Sequence, residues 1–322
     1  MKHYFVLLMI CLWAINGYCA APLDGLKPPS RKYRVPRYSK KVVLQRLNEI
    51  EHAIDMRSNG TIRRLINSYL FGPGRQTTEQ LVGYSSIYFP IFEHYLRKHR
   101  VPSEIKYLSV IESHLDPKAI SPMGARGLWQ FMPKTARLFD LQINNYVDER
   151  YDIHKASNAA ARYLSELFDR YQDWTLAIAA YNCGPGNLNK AIRKGKSKNF
   201  WRIKKHLPRE TQGYVQKFIA VKYVMTYYMF YDIRPIYPDY DHMLTQSIRV
   251  FKRKSFQQIS EETGIAQNVI EHFNPKFKRK VIPPSAKGHS LVLPKIGPIE
   301  AVPIQILGYK PNDDPFQSAN KL

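Results

Sequence analysis

The sequence has 322 residues, a formal net charge of +23 and a hydrophobic fraction of 44%. This composition excludes an intrinsically disordered chain, and the length allows one large domain with a smaller one. The positive charge favours a polyanionic partner. Nucleic acid, anionic lipid and an anionic cell-wall polymer all satisfy this condition. No cluster of cysteine and histidine has the spacing of a metal site, so we expect neither a metal nor a cofactor.

The N-terminus has the pattern of a secretory signal peptide. A short basic start precedes an apolar run from Tyr4 to Ile15 that is too short to span a bilayer, and small residues follow up to Ala21. We therefore predict a signal peptide over residues 1–20 and an exported protein, either periplasmic or associated with the outer membrane. An uncleaved anchor and lipidation at Cys19 are the alternatives. Because an exported protein works away from nucleic acid, we expect no nucleic-acid partner.

Helical periodicity dominates the middle of the chain. Residues 21–40 form a basic lead-in, and two helices are predicted between Val42 and the glycine- and proline-containing break at 71–74. Further helices are predicted at roughly 78–100, 103–115, 134–140, 156–171, 174–182 and 211–231. No long alternating pattern typical of strands falls between them, so residues 41–232 are predicted to form a mainly α domain.

The composition changes after this segment. Residues 233–246 contain several prolines and tyrosines and are predicted to be a linker. Beyond it the pattern predicts a strand, two short helices and a closing strand, at 247–251, 256–262, 268–273 and 291–294. This order indicates a small α+β domain over 247–294, and the aperiodic residues 295–322 are predicted to be a flexible tail.

One carboxylate in a predicted apolar helix is the strongest candidate for chemistry. The helix over 103–115 has an apolar stripe at spacings of three and four residues, and Glu112 projects into that stripe. Burial raises the pKa of a carboxyl group, as a general acid near neutral pH requires. A structural ion pair with an arginine explains the same position. Helix geometry alone does not decide between the two interpretations.

Several motifs follow one another between about residues 80 and 230. They are Glu112-Ser113, Ser121-Pro122-x-Gly124-Ala125-x-Gly127-Leu128-x-Gln130-x-Met132-Pro133, Val147-Asp148-Glu149-Arg150, Ala180-Tyr181-Asn182-x-Gly184 and Leu207-Pro208-Arg209-Glu210-Thr211-x-x-Tyr214. In this order they resemble the catalytic domain of the lytic murein transglycosylases, and most of all their membrane-bound D branch. The resemblance implies a lysozyme-like helical domain of the goose type.

The segment 247–294 contains the motifs Phe256-x-x-Ile259, Phe273-Asn274-Pro275 and Leu291-x-Leu293-Pro294. With these motifs it is similar to a LysM module, a small βααβ glycan-binding domain. The segment departs from the LysM pattern at residues 252–255, where a Gly-Asp-Thr run is usual. Two interpretations therefore stay open, a sugar-binding module and a packing module that no longer binds sugar.

The resemblance also implies a function, that of a lyase acting on peptidoglycan. Members of this family cleave the β-1,4 bond between N-acetylmuramic acid and N-acetylglucosamine without water and leave 1,6-anhydro ends. Glu112 would be the sole acid and base. The expected partner is the peptidoglycan glycan strand, with peripheral contacts to the membrane, the wall or cell-wall machinery proteins. The alternatives are a hydrolytic muramidase of the same fold and a non-catalytic peptidoglycan-binding protein.

Roles for the remaining site residues follow from their positions in the motifs. The implied substrate-binding residues are Ser121, Gln130, Met132, Tyr181, Asn182, Glu210 and Tyr214. Ser121 and Gln130 are expected to bind the acetamido group or to orient Glu112. Tyr181 is expected to shape the sugar subsite and to hydrogen-bond Glu112, and Glu210 and Tyr214 to line the far side of the groove.

Three further residues near these motifs have an ordinary structural interpretation. Asp116 directly precedes Pro117, where a helix ends, so we interpret it as a helix-terminating residue rather than a second catalytic carboxylate. Trp129 is either a core residue or a platform for sugar stacking. Cys183 has no histidine near it in sequence to activate its thiol, so we interpret it as a small buried hydrophobe.

Overall fold

The computed structural model describes residues 38–50, 52–239 and 244–295. The predicted signal peptide, Cys19, nearly all of the basic lead-in and all but the first residue of the predicted tail lie outside this part of the chain. None of the helices in this part of the chain has both the length and the apolar character that a membrane span requires.

The described chain up to residue 239 is mainly helical, as predicted. Its α-helices are α1 (Lys40–Glu49), α2 (Gly60–Phe71), α3 (Gly74–Lys98), α4 (Tyr107–Ser113), α5 (Pro133–Leu138), α6 (Ile153–Tyr171), α7 (Trp174–Gly195), α8 (Phe200–Ile203) and α9 (Arg209–Tyr227). Short 3₁₀ turns lie at Ser103–Lys106, Glu149–Tyr151, Lys204–His206 and Tyr228–Tyr231.

Local side chains set the starts of several of these helices. Asn59, Asp152 and Asp173 each accept a hydrogen bond from a backbone N–H in the first turn of α2, α6 and α7, respectively. Such N-caps satisfy backbone donors that have no partner inside the helix. The chain leaves helical geometry at Gly184 (φ 79°, ψ 150°), so α7 is kinked there rather than ending at residue 182 as predicted.

Among the described helices, α9 has the most buried residues, and it packs against α2, α4 and α7. Its buried residues run almost without interruption from Phe218 to Met225, as expected of a helix enclosed on all sides. Lys222 is among them, and its ammonium group pairs with the carboxylate of Glu104 next to α4. A buried lysine requires such a partner because an unpaired charge in the core is costly.

The predicted linker that follows α9 packs against α3. The backbone N–H of Ile236 donates to the carbonyl of Glu79 at 2.9 Å. A Cβ atom on Gly83 of α3 would lie 1.9 Å from the carbonyl oxygen of Ile236. Only a glycine therefore permits this close approach between the predicted linker and the helix.

The C-terminal module contains two pairs of antiparallel strands and two helices. These are β1 (Thr245–Val250), β2 (Lys254–Ser255), α10 (Phe256–Thr263), α11 (Gln267–Phe273), β3 (Val281–Ile282) and β4 (His289–Pro294). β1 pairs with β4 in the register Thr245 to Pro294 through Val250 to His289, and β2 pairs with β3. The predicted β-α-α-β order is present, and the short β2–β3 pair adds to it.

The module and the helical domain share buried contacts. Val147, between α5 and α6, is fully buried in the hydrophobic core of the module together with Phe256 and Phe277. The backbone N–H of Asp148 donates to the carbonyl of Lys276 at 2.9 Å. The module is therefore docked on the helical domain through the residues that precede α6.

Candidate active site

Glu112 lies in the last turn of α4, at the point where the chain turns back. The predicted helix ends at Ser113, because His114 (φ 52°) and Leu115 (φ 60°) adopt left-handed conformations. Asp116 then accepts a hydrogen bond on its side chain from the N–H of Lys118 at 2.8 Å. This is a turn in which an aspartate stabilises the backbone, so Asp116 has a structural role in ending the helical segment.

The carboxyl group of Glu112 is partly buried and hydrogen-bonded. The hydroxyl of Tyr214, on α9, donates to Glu112 Oε1 at 2.5 Å. Burial raises the pKa of Glu112 to about 7, and the negative charge of Glu210 adds to the rise, whereas the Tyr214 hydrogen bond and Lys217 oppose it. Within the described residues Glu112 forms no ion pair with lysine or arginine, so the structural ion-pair interpretation fails. The carboxyl group can hold or release a proton near neutral pH.

The hydrogen bond to Glu112 comes from a different tyrosine than expected. The hydroxyl of Tyr181 donates to the carbonyl of Trp129 at 2.8 Å and not to Glu112, so that part of its expected role is wrong. Tyr181 is still a close neighbour, since burial and the charge of Glu112 raise its pKa well above the ordinary value. Both Tyr181 and Tyr214 therefore stay neutral hydrogen-bond donors.

Ser121 and Gln130 hold the loop that follows Asp116, and neither side chain forms a hydrogen bond with Glu112. Ser121 Oγ accepts a hydrogen bond from the N–H of Ala125 at 3.0 Å. Gln130 Nε2 donates to the carbonyls of Ala119 at 3.2 Å and Gly127 at 2.9 Å. The expectation that they orient Glu112 directly is therefore not met. Both side chains are partly exposed.

Arg150 anchors the same loop through hydrogen bonds to its backbone carbonyls. The sequence motifs did not indicate this structural role. Its guanidinium donates to the carbonyls of Gly124 at 2.8 Å and Phe131 at 3.1 Å, and it binds the carboxylate of Asp148 through Nε and Nη2 at 2.9 and 2.8 Å. Arg150 is 4% exposed. A Cβ atom on Gly127 (φ 76°) would lie 2.1 Å from the Arg150 carbonyl oxygen. Arg150 thus binds the loop at Gly124 and Phe131 and lies directly against it at Gly127.

Asn182 and Glu210 meet on the side of the site formed by α7 and α9. Asn182 Oδ1 accepts a hydrogen bond from Thr211 Oγ1 at 2.7 Å, and its amide donates to Glu210 Oε1 at 3.4 Å. Glu210 is exposed, and its charge acts on Glu112. The neighbouring Cys183 is partly buried, and burial raises the pKa of its thiol, so it is not an activated nucleophile.

The apolar residues of the loop divide into exposed and buried ones. Met132 is 41% exposed, and Met123 and Ile120 are also exposed. Trp129 is fully buried, donates from Nε1 to Ser157 Oγ at 3.0 Å and packs edge-to-face on Phe92. Trp129 is therefore a core residue and not a stacking platform. Within the described residues, no group of histidine, cysteine, aspartate and glutamate side chains could hold a metal ion.

Two family models match this chain. Residues 89–204 match the Transglycosylase SLT domain, and residues 245–296 match the LysM-like domain of the lytic transglycosylase MltD. The first match contains Glu112 and the loop held by Arg150, and the second contains the docked module. The resemblance inferred from the sequence motifs is confirmed.

Curated relatives carry related names. The chain is 30% identical over 202 residues to membrane-bound lytic murein transglycosylase D of Escherichia coli strain K12, covering 61% of this chain and 44% of the relative. It is 30% identical over 212 residues to membrane-bound lytic murein transglycosylase F 1 of Alkalilimnicola ehrlichii, covering 56% of this chain and 41% of the relative. The chain thus spans less than half the length of these two relatives.

Solved structures of soluble lytic transglycosylases are also similar. The 70 kDa enzyme of Escherichia coli matches with 18% identity and a TM-score of 0.40 over 59% of this chain and 43% of that chain. An inactive mutant of the Pseudomonas aeruginosa enzyme matches with 23% identity and a TM-score of 0.37. The match covers 42% of this chain and 24% of that chain. By the two family matches, the chain contains a Transglycosylase SLT domain followed by a LysM-like domain of the lytic transglycosylase MltD type.

Proposed function

We propose that the protein is an exported lytic transglycosylase that cleaves the β-1,4 bond between N-acetylmuramic acid and N-acetylglucosamine in peptidoglycan. The observation that carries the proposal is the Glu112 carboxyl group, whose pKa is raised to about 7 inside a segment that matches the SLT domain. The names of the relatives support the same class of reaction.

Glu112 is the sole acid and base of the proposed reaction. In the first step the protonated carboxyl gives its proton to the glycosidic oxygen as the bond to the anomeric carbon breaks. The substrate's own 2-acetamido oxygen closes on that carbon and forms an oxazolinium. In the second step the Glu112 carboxylate takes the proton of the 6-hydroxyl, whose oxygen displaces the acetamido oxygen. The product has a 1,6-anhydro end, and Glu112 is protonated again.

The surrounding residues divide into positioning and substrate-binding groups. Tyr214 holds the Glu112 carboxyl in place through its hydrogen bond. We assign contacts with the glycan to the side chains that border the carboxyl or the loop beside it. These are Ser121, Gln130, Met132, Tyr181, Asn182 and Glu210.

Glu210 supports a second candidate function, a hydrolytic muramidase. Ordinary glycoside hydrolysis uses two carboxyl groups that flank the bond, one as the acid and one as base or nucleophile. Glu210 lies close enough to raise the pKa of Glu112, whereas Asp116 is engaged in the turn after α4. A hydrolytic enzyme would therefore need Glu210 for chemistry, and a lytic transglycosylase would need it only for binding.

Digestion of purified sacculi separates these functions. We expect the wild type to release muropeptides that are one water lighter than hydrolysed ones, Glu112→Gln to release none, and Glu210→Gln to release the same anhydro products more slowly. Reducing-end products from the wild type would instead establish the muramidase. If Glu112→Gln digests sacculi as fast as the wild type, Glu112 has no catalytic function.

The site of action and the extent of the domains are part of the same proposal. The N-terminal pattern supports export to the periplasm or the outer membrane, and the helical periodicity supports a catalytic domain over 41–232, wider than the matched 89–204. We assign residues 247–294 to the LysM-like module.

Fractionation of cells that produce the chain, followed by mass spectrometry of its mature N-terminus, tests export and the cleavage site together.

A further inference from the structure

The segment 144–152, between α5 and α6, has contacts on two sides. One side pairs with the LysM-like module. The other side carries Arg150, which holds the loop 120–131 beside Glu112, here called the active-site loop. The proposed function uses the second set of contacts only, so the contacts with the module need their own explanation.

The module pairs with this segment through the main chain. The N–H of Asp148 donates to the carbonyl of Lys276 at 2.9 Å, and the N–H of Lys278 donates to the carbonyl of Tyr146 at the same distance. Val147 lies between these two hydrogen bonds, and its side chain is fully buried in the core of the module. Hydrogen bonds and apolar packing together therefore fix the segment to the module.

A buried ion pair joins the two domains beside these hydrogen bonds. The ammonium of Lys276 lies 2.6 Å from the carboxylate of Asp152, and both side chains are 8% exposed. Burial opposes the charge on Asp152, but the Lys276 ammonium and hydrogen bonds to the carboxylate outweigh it and hold its pKa below the ordinary value. Because either charge alone would be costly to bury, the pair requires the two domains to keep this arrangement.

The other side of the segment leads to the catalytic carboxyl group. Asp148 binds the guanidinium of Arg150 at 2.8 and 2.9 Å, and Arg150 donates to two carbonyls of the active-site loop. Ser113 Oγ donates to a third carbonyl of that loop at 3.0 Å, and Ser113 directly follows Glu112. A shift of Asp148 would therefore move Arg150 and the active-site loop with it.

The module also touches the turn that follows the catalytic helix. His272 Nδ1 on α11 lies 2.9 Å from the ammonium of Lys118, and the N–H of Lys118 closes the turn at Asp116. The active-site loop begins two residues later. The module thus contacts the chain both before and after this loop.

We propose that the LysM-like module is a positioning element of the active site. By binding residues 146–152 it holds Arg150 in place, and Arg150 holds the active-site loop where the bound glycan meets the Glu112 carboxyl group. Lys276 is the central positioning residue, since both its carbonyl and its ammonium bind this segment. The role does not require the module to bind sugar. This inference rests on the proposed function, in which Glu112 carries out the chemistry.

The test loosens this contact in the full chain without leaving a buried charge. The double variant Asp152→Asn with Lys276→Met removes the ion pair and keeps the N-cap of α6, because asparagine caps a helix as well as aspartate does. The control is Glu271→Gln with Lys280→Met, which removes a half-exposed pair inside the module. Both double variants keep the net charge of the wild type.

Hydrogen exchange and steady-state kinetics are measured on each protein. We expect the amide hydrogens of the active-site loop to exchange about ten-fold faster in the double variant and at the wild-type rate in the control. On soluble glycan strands released from sacculi by an amidase, kcat of the double variant should fall about ten-fold through misplacement of the sugar. KM should change much less, because the side chains on α7 and α9 still bind the glycan. Unchanged exchange in α9 shows that the helical domain is still folded.

The outcomes separate this inference from the proposed function. Wild-type exchange of the active-site loop in the double variant would overturn the inference, as would faster exchange with an unchanged kcat. Val147→Ala, which removes two methyl groups from the core of the module, is a second variant with the same expected direction and gives a result even where the double variant is unfolded. If the wild type makes no anhydro products, the proposed function fails, while exchange of the loop still shows whether the module holds it.

Discussion

The hydroxyl of Tyr214 donates to the carboxyl group of Glu112 at 2.5 Å, across 102 residues of sequence. Tyr214 lies near the start of α9, which packs against α4, and both residues point into the space between these helices. The contact fixes one oxygen of the carboxyl group and leaves the group partly accessible. This contact and the loop beside it have measurable consequences for rate, pH dependence and stability.

Replacing Tyr214 changes both the rate and its pH dependence. The hydrogen bond favours the charged form and so lowers the pKa of Glu112. In Tyr214→Phe this pKa rises, so the alkaline limb of kcat/KM, where the acid loses its proton, moves to higher pH. We expect the maximal rate on sacculi to fall about ten-fold, as for loss of a hydrogen bond to a charged group. Tyr227→Phe, on the same helix but bonded to the carbonyl of Arg46, is the control. An unchanged alkaline limb in Tyr214→Phe would contradict the assignment.

Removing the carboxyl group should stabilise the protein at alkaline pH relative to the wild type. The pKa of Glu112 rises from the ordinary 4.5 to about 7 on folding, so the folded state binds the proton more tightly. The contribution of the protonated Glu112 carboxyl group to the free energy of unfolding is complete below pH 4.5. It is lost as the pH rises through 7. Glu112→Gln does not titrate, so its stability relative to the wild type should increase by up to about 3 kcal/mol between about pH 4 and pH 8. Urea unfolding of both proteins at the two pH values measures this, and a constant difference would refute the raised pKa.

The two glycines of the loop should differ in their tolerance of a side chain. Gly124 (φ 84°) has open space where an added Cβ atom would lie, whereas a Cβ atom on Gly127 would lie 2.1 Å from the carbonyl oxygen of Arg150. Gly124→Ala should cost about 1 kcal/mol for the left-handed backbone alone. Gly127→Ala should cost several kcal/mol, because the loop must move away from Arg150. Chemical unfolding of the two variants tests this, and equal costs would show that the close approach does not constrain the loop.

The Arg150–Asp148 pair should be far more important to stability than an exposed pair. Arg150→Met leaves Asp148 buried without its main partner and frees two loop carbonyls, so we expect a loss of about 3–5 kcal/mol. Arg162→Met breaks a pair with Asp140 that is largely exposed, and we expect a loss of at most about 1 kcal/mol. Denaturant midpoints of both variants provide the comparison. Similar losses would mean that the buried network contributes little.

Much of the helical organisation could be predicted from local pattern. Helical periodicity placed α3, α6 and α9 near their observed positions, because side-chain spacing is a property of the helix itself. The segment over 103–115 was less regular than expected, since it starts as a 3₁₀ turn and stops at Ser113. His114 and Leu115 adopt left-handed conformations there, and no feature of their side chains indicated this.

The sequence by itself determined the helical character of the domain, the choice of Glu112 as the candidate acid and the family motifs. Only the tertiary structure decided that Tyr214 rather than Tyr181 binds Glu112, that Arg150 anchors the loop, and that Val147 enters the core of the LysM-like module. Periodicity and capping act over a few residues and are written in local sequence. Contacts between residues far apart in sequence depend on how the helices pack. A small change in packing is enough to change the acceptor to which a tyrosine hydroxyl donates its hydrogen bond.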